Sequence, residues 1–210
     1  MIVDPVTLLA FVPAALALNL TPGADMMFCL AQGLRHGPAP AAAASAGIST
    51  GALIHAGAAG LGLSALVAAH PWALEAIRWA GVAYLLWLAW AGWRAGDVSQ
   101  AQAGAPGLLR AFATGLTVNL TNPKVILFVL AFLPQFVDPA RPVVTQFLIL
   151  GGIIAAGGFA VNSAVGYFAG GLGRRLAGNP GLGRMLARIS AGVFGLLALR
   201  LAYGAFSAKA

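Results

Sequence analysis

The sequence predicts an all-α, polytopic membrane protein: six transmembrane helices as two inverted three-helix repeats, with the first and fourth helices broken. Three observations carry this expectation. The chain is 60% hydrophobic and only 8% charged, whereas soluble domains carry roughly 25% charged residues. The charges cluster and leave apolar runs of about 20 residues or more, the length that crosses the hydrocarbon of a bilayer. Finally, one short phrase occurs twice. Asn19-Leu20-Thr21-Pro22-Gly23-Ala24-Asp25 returns as Asn119-Leu120-Thr121-Asn122-Pro123-Lys124. Each copy lies in an apolar segment, and each holds a helix breaker and one charge.

Residues 5–34 form the first span, interrupted at Pro22-Gly23. No basic region precedes it, and Asp4 stands there instead, so it is expected to stay as a spanning helix rather than act as a cleaved leader. Residues 41–69 form the second span. His70-Pro71 marks a turn, and 73–93 form the third, bordered or occupied by all five tryptophans, of which those near its ends suit interfacial anchoring. The stretch 94–110 is polar, rich in Gln, Ser, Gly and Pro, and is the linker. The fourth span covers 108–133, broken at Asn122-Pro123, and 134–142 form a short loop. The fifth span covers 143–172, a basic Gly/Pro turn follows over 173–184, and the sixth span ends near 206. The runs are long and lack a two-residue alternation, so they are helices rather than barrel strands. One membrane domain therefore divides into a first repeat (1–93), a cytoplasmic linker (94–110) and a second repeat (111–210).

Orientation follows from Lys and Arg near the span ends. One side collects Arg35, Arg94, Arg110, Arg174, Arg175, Arg184 and Arg188; the other has Arg78, Arg141 and Lys209 beside Asp4, Glu75 and Asp138. The first side is expected to be cytoplasmic, which puts both termini in the periplasm. Arg200 is expected to reach the outer surface by snorkelling. Three spans per half is an odd number, so the halves insert with opposite orientations and the two phrases belong to an inverted repeat.

A proline in a span removes an amide hydrogen and clashes with the preceding turn. Thr21 is expected to cap a new half-helix with Pro22 at its first position, and Asn122 and Pro123 to do the same in the second copy. Broken backbone in lipid is tolerable only against protein or a wet cavity. Each new half-helix brings a positive dipole end toward the midplane, and two such ends would attract an anion. Asp25 and Lys124 are costly inside a membrane unless paired or hydrated. Either they only pair with each other or they line a polar site. Such a site suits a zwitterion, with its carboxylate toward Lys124 and the helix ends and its ammonium toward Asp25; Asp25 is also a candidate proton carrier. Asn19, Asn119, Thr21 and Asn122 would add polar contacts, while Pro22, Gly23 and Pro123 open the backbone.

Other polar positions point less sharply. His55, near Gly51 and Ser49, fits either a proton path or plain packing. Asn162 and Ser163 suit hydrogen bonds to a neighbouring helix, and Gln135 suits the end of the fourth span. Gly47-x-x-x-Gly51 and Gly166-x-x-x-Gly170 permit close approach, inside the chain or in a homodimer. The single cysteine, Cys29, cannot form an internal disulfide and reads as packing. No metal-ligand cluster, P-loop or dinucleotide fingerprint is present, so no cofactor or metal is expected. Asp25, His55 and Ser163 suggest no nucleophile–base arrangement, so the chain is not expected to be an enzyme. The net charge of +7 lies in short loops without aromatic interleaving, which suits anionic lipid rather than nucleic acid. Without an ATP-binding motif, transport would be secondary and driven by an ion gradient, unless another subunit supplies energy. A scaffold or assembly protein, or a channel without active transport, is the alternative.

The chain resembles the LysE/RhtB-type amino-acid exporter family over most of its length. The resemblance begins at Thr21-Pro22-Gly23 and Asp25 and continues through Gly37, Gly47, Gly51, His55 and Gly60, then Gly81, Tyr84 and Leu85. Its most specific block is Gly115, Asn119, Asn122, Pro123, Lys124, Phe128, Pro134, Gln135 and Phe136. Ala24 stands where the family usually has a second proline. The resemblance implies a bacterial inner-membrane exporter of amino acids or close derivatives, exchanging them for protons.

Overall fold

The computed structural model describes residues 2–69 and 107–170, with single helical residues between 79 and 93 and between 181 and 202. Six α-helices are described: α1 (Pro5–Leu20), α2 (Ala24–His36), α3 (Pro38–Ala69), α4 (Leu108–Leu120), α5 (Pro123–Leu127) and α6 (Val143–Tyr167). After α5 the chain winds as a π-helical turn over Phe128–Phe132 and a 3-10 turn over Leu133–Phe136. Among the described residues there is no strand. The expected third and sixth spans, residues 94–106 and the basic turn lie outside the described residues, apart from those single helical positions. So do Arg78, Arg94, Arg174, Arg175, Arg184, Arg200 and Lys209.

Local sequence explains the ends of these helices. The Asp4 side chain accepts from the Val6 amide at 3.1 Å, and Pro5 opens α1, as suits a residue with no amide hydrogen to satisfy. Pro13 lies inside α1 without ending it. The helix ends instead at Thr21, which is extended (φ −67°, ψ 117°), the conformation imposed on a residue before proline. α2 ends at Gly37, whose φ of 86° favours a residue without a Cβ. α3 then begins at once with Pro38, three residues earlier than the sequence suggested, because proline is tolerated in a first turn. Before α6, the Gln146 amide brackets Asp138: its nitrogen donates to the Asp138 carbonyl at 2.8 Å and its oxygen accepts from the Asp138 amide at 2.9 Å.

Two helix pairs are bent at a short break. α1 and α2 meet at 52°, and α4 meets Pro123–Phe136 at the same 52°. By length and composition α6 can cross a membrane unbroken, and each bent pair can do so as one span. α3 is the central element, packed along α4 and α6. A Cβ at Gly47 would overlap the Phe112 carbonyl, and one at Gly115 the Ala44 carbonyl. The Ser45 and Ser49 hydroxyls donate to the carbonyls of Phe159 (3.1 Å) and Ala155 (2.9 Å) on α6. Gly47, Gly51 and Gly166 all pack inside the chain. The apolar core joins Phe11 and Leu18 of α1 to Phe128, Phe132, Phe147 and Leu150. Within it, Phe128, Phe132, Phe136 and Phe11 form a string of rings with centroids 4.7, 4.9 and 5.1 Å apart. Val6, Leu9, Leu109 and Leu130 point outward and are exposed, as suits side chains that meet lipid.

Candidate functional site

The two breaks share one small cavity with α3 and α6. Asn19, Thr21 and Asp25 line it from the first break, Asn119 and Lys124 from the second, Ser49 and Ala52 from α3, and Gly158 and Asn162 from α6. The space open to the centre of a water molecule is about 20 Å³. That admits a water but not an amino acid.

Asp25 stands in the first turn of α2, where the positive end of the helix favours a carboxylate. It is only 8% exposed. Its Oδ2 accepts from Asn119 Nδ2 at 2.9 Å, and its Oδ1 has no hydrogen-bond partner. Asn119 is held in turn from behind. Its backbone carbonyl accepts from His55 Nε2 at 3.3 Å, and its side chain rests on Gly51, where an added Cβ would lie 2.7 Å from Oδ1.

Lys124 is placed quite differently. It sits in the first turn of α5, the end of a helix that disfavours a cation. Its ammonium instead reaches across to α1 and donates to the carbonyls of Leu18 (3.1 Å) and Thr21 (2.9 Å). The break leaves such carbonyls without intrahelical amides, so Lys124 caps the interrupted end of the other span. Gly23 makes room for it: a Cβ there would lie 3.2 Å from Nζ. Asp25 and Lys124 line the same cavity.

The structure corrects the expected role of Thr21. It does not cap α2; it ends α1, and its hydroxyl donates back to the Ala17 carbonyl at 2.5 Å. Pro22 is not the first residue of α2, which starts at Ala24 with the extended Gly23 as its cap. The cause is the extended backbone that Pro22 imposes on Thr21, which turns the hydroxyl toward the preceding turn. Asn122 does cap its half-helix, accepting from the Lys124 amide at 3.0 Å, but it does not line the cavity. Asn19 lines it and donates from Nδ2 to the Ile154 carbonyl at 3.1 Å. His55 stands outside it, bonded to Asn119. The pair of positive helix ends expected to attract an anion is also revised. The first turn of α2 already holds its own carboxylate, and α5 is only five residues long with a cation in its first turn. Sequence reasoning took Asn162 as a packing residue and missed its place in the cavity. The signal was Ile154, Gly158 and Asn162, spaced four apart on one face.

Sequence comparison matches the LysE type translocator family over residues 16–205. The chain belongs to that family. Its members are translocators rather than enzymes, and they are membrane proteins. Similar relatives include a homoserine/homoserine lactone efflux protein of Salmonella typhi, 40% identical over 146 residues, covering 68% of this chain and 70% of the relative. An uncharacterized membrane protein of Vibrio cholerae is 36% identical over 148 residues, covering 68% and 71%. A leucine efflux protein of Enterobacter sp. (strain 638) is 33% identical over 145 residues, covering 67% and 68%. No solved structure matches.

Proposed function

We propose that the chain exports a small zwitterionic amino acid, or a close derivative, across the bacterial inner membrane in exchange for protons. The observation that carries this is the Asp25 carboxylate: buried, with Oδ1 unpartnered, and facing a cavity that both breaks share. Oδ1 is free to accept from the substrate ammonium. Lys124, across the cavity, provides positive charge for the substrate carboxylate. Asn119 orients Asp25, and Asn19 and Asn162 offer further polar contacts. The apolar remainder of the lining, such as Ile48 and Ala52, suits a short side chain, in keeping with the names of the homoserine and leucine efflux relatives.

Two correspondences support an inverted repeat of residues 1–93 and 111–210 about the linker 94–110. Both breaks bend by 52°. Each motif asparagine also lies on glycine of a long helix in the other half: Asn119 on Gly51 of α3, Asn19 on Gly157 and Gly158 of α6. In such an arrangement, rocking of one half against the other widens the cavity alternately to each side. A proton takes the place of the substrate ammonium on Asp25 during the return.

The test is counterflow of radiolabelled homoserine and leucine in liposomes, followed by accumulation against a gradient driven by pH. Asp25→Asn and Lys124→Met are each expected to abolish gradient-driven transport while the protein stays inserted. Near-normal flux in both variants removes these residues from the mechanism and favours a scaffold. Flux without uphill accumulation in the wild type identifies a channel.

A further inference from the structure

A second set of buried polar atoms lies along α2, away from the cavity. Gln32 is 1% exposed, and its Oε1 has no hydrogen-bond partner. His36, at the end of the same helix, buries Nε2 without a partner. With Asp25 Oδ1 these make three orphaned polar atoms on one helix. At about 100° per residue, positions 25, 32 and 36 fall within an arc of roughly 40°. Over eleven residues they climb about 16 Å, from the cavity to the end of α2.

α2 packs on α3 and α6, and Gln32 on this face is buried there. α6 runs beside α2 in the same direction: Cys29 meets Gly166, and Gly33 meets Gly166 and Ala169. Ser163 of α6 buries one more hydroxyl without a partner. Among the described residues, the charged or titratable side chains of α3, α4 and α6 are His55, Arg110 and Tyr167. His55 is bonded to Asn119, and the other two are exposed. Leaving a row of polar atoms dry in an otherwise apolar seam is costly, and such rows of polar and ionisable groups in membrane helices serve proton movement.

We propose that this face of α2 is a hydrated file that carries protons between Asp25 and the membrane face at which α2 ends. It rests on the reading of Asp25 as the proton-exchanging group. A proton leaves Asp25 Oδ1 for water, passes along hydrogen bonds ordered by Gln32 Oε1, and is accepted by His36 Nε2. His36 then releases it to bulk water; one proton enters and one leaves. By the positive-inside count that end, beside Arg35, is cytoplasmic, so the file serves inward release of the proton exchanged for exported substrate.

Two measurements test it. In a Cys29→Ala background, Gln32→Cys, His36→Cys, Phe28→Cys and Leu30→Cys are labelled with a small cationic methanethiosulfonate. Positions 28, 30 and 32 are all buried, so a dry helix would leave all three inert. The file predicts that Gln32→Cys reacts at least about tenfold faster than Phe28→Cys and Leu30→Cys; equal rates overturn it. Separately, Gln32→Leu is expected to cut pH-driven accumulation about tenfold while leaving substrate counterflow within about twofold, and Gln32→Asn to restore part of the loss. An unchanged pH-driven rate, or equal loss of both activities, overturns the file. Absence of any wild-type counterflow defeats the transport reading, and the labelling pattern still decides the file.

Discussion

Both breaks bend the chain by 52° after the same Asn-Leu-Thr, but they handle their charge in opposite ways. Asp25 lies where its own helix favours it and keeps one oxygen unpartnered toward the cavity. Lys124 lies where its own helix disfavours it and caps the carbonyls of the other break. The first break therefore keeps an open acceptor, and the second ties down carbonyls of the first. The difference teaches that a repeated motif need not repeat a role. Each copy completes the other, and the cross-links Asn119–Asp25 and Lys124–Leu18/Thr21 both join one break to its counterpart.

The sharpest way to break this comparison is to neutralise each charge and measure stability as well as flux. Lys124→Met strips the donor from two carbonyls and strands the Asp25 charge. It is expected to abolish transport and to cost about 3–5 kcal/mol in thermal unfolding in detergent. Asp25→Asn should abolish transport equally but cost less stability, since Lys124 keeps both carbonyls and an amide can still meet Asn119. Equal stability loss in the two variants would erase the division of labour. A smaller effect separates the asparagines. Gly51→Ala and Gly157→Ala each put a Cβ 2.7 Å from an asparagine side-chain atom. Gly51→Ala should slow counterflow about tenfold by moving Asn119 off Asp25, and Gly157→Ala should slow it less, because Asn19 bonds the Ile154 carbonyl rather than Asp25. Asn122→Ala should then cost about 1 kcal/mol of stability through the lost cap, and Asn122→Ser less, as it keeps an acceptor. A similar stability cost, with no effect on counterflow, is expected of Thr21→Val: about 0.5–1.5 kcal/mol from the lost bond to Ala17. Lost counterflow there would return the Thr21 hydroxyl to the substrate.

The breaks were legible because Thr21-Pro22-Gly23 and Asn122-Pro123 combine a breaker with polar neighbours. Pro13 shows the limit. The same residue type leaves α1 intact, because whether a proline ends a helix depends on what else satisfies the freed carbonyl, and sequence does not carry that. Asp25 and Asn119 were legible as site candidates from the repeat. The partners of Lys124 were not, since backbone carbonyls have no residue signature. Asn122 read correctly as a cap, whereas Thr21 read as one and instead closes the preceding helix. Gln32 and His36 carry no marker in the sequence; only the fold buries Gln32 and the Nε2 of His36. The π-turn over Phe128–Phe132 has no marker in its residue types.

That π-turn is under-wound, and the 3-10 turn over Leu133–Phe136 that follows it is over-wound, so the two together set the phase at which Phe136 stands. Phe136, at the end of the 3-10 turn, stands edge-on against Phe11 and so ties the tail of the second break to the first span. Deleting one residue between 128 and 132 would let the chain rewind as α-helix and swing that ring off its mate. The length of this segment is therefore under tighter restraint than its composition, and single-residue deletions there should be far less tolerated than apolar exchanges.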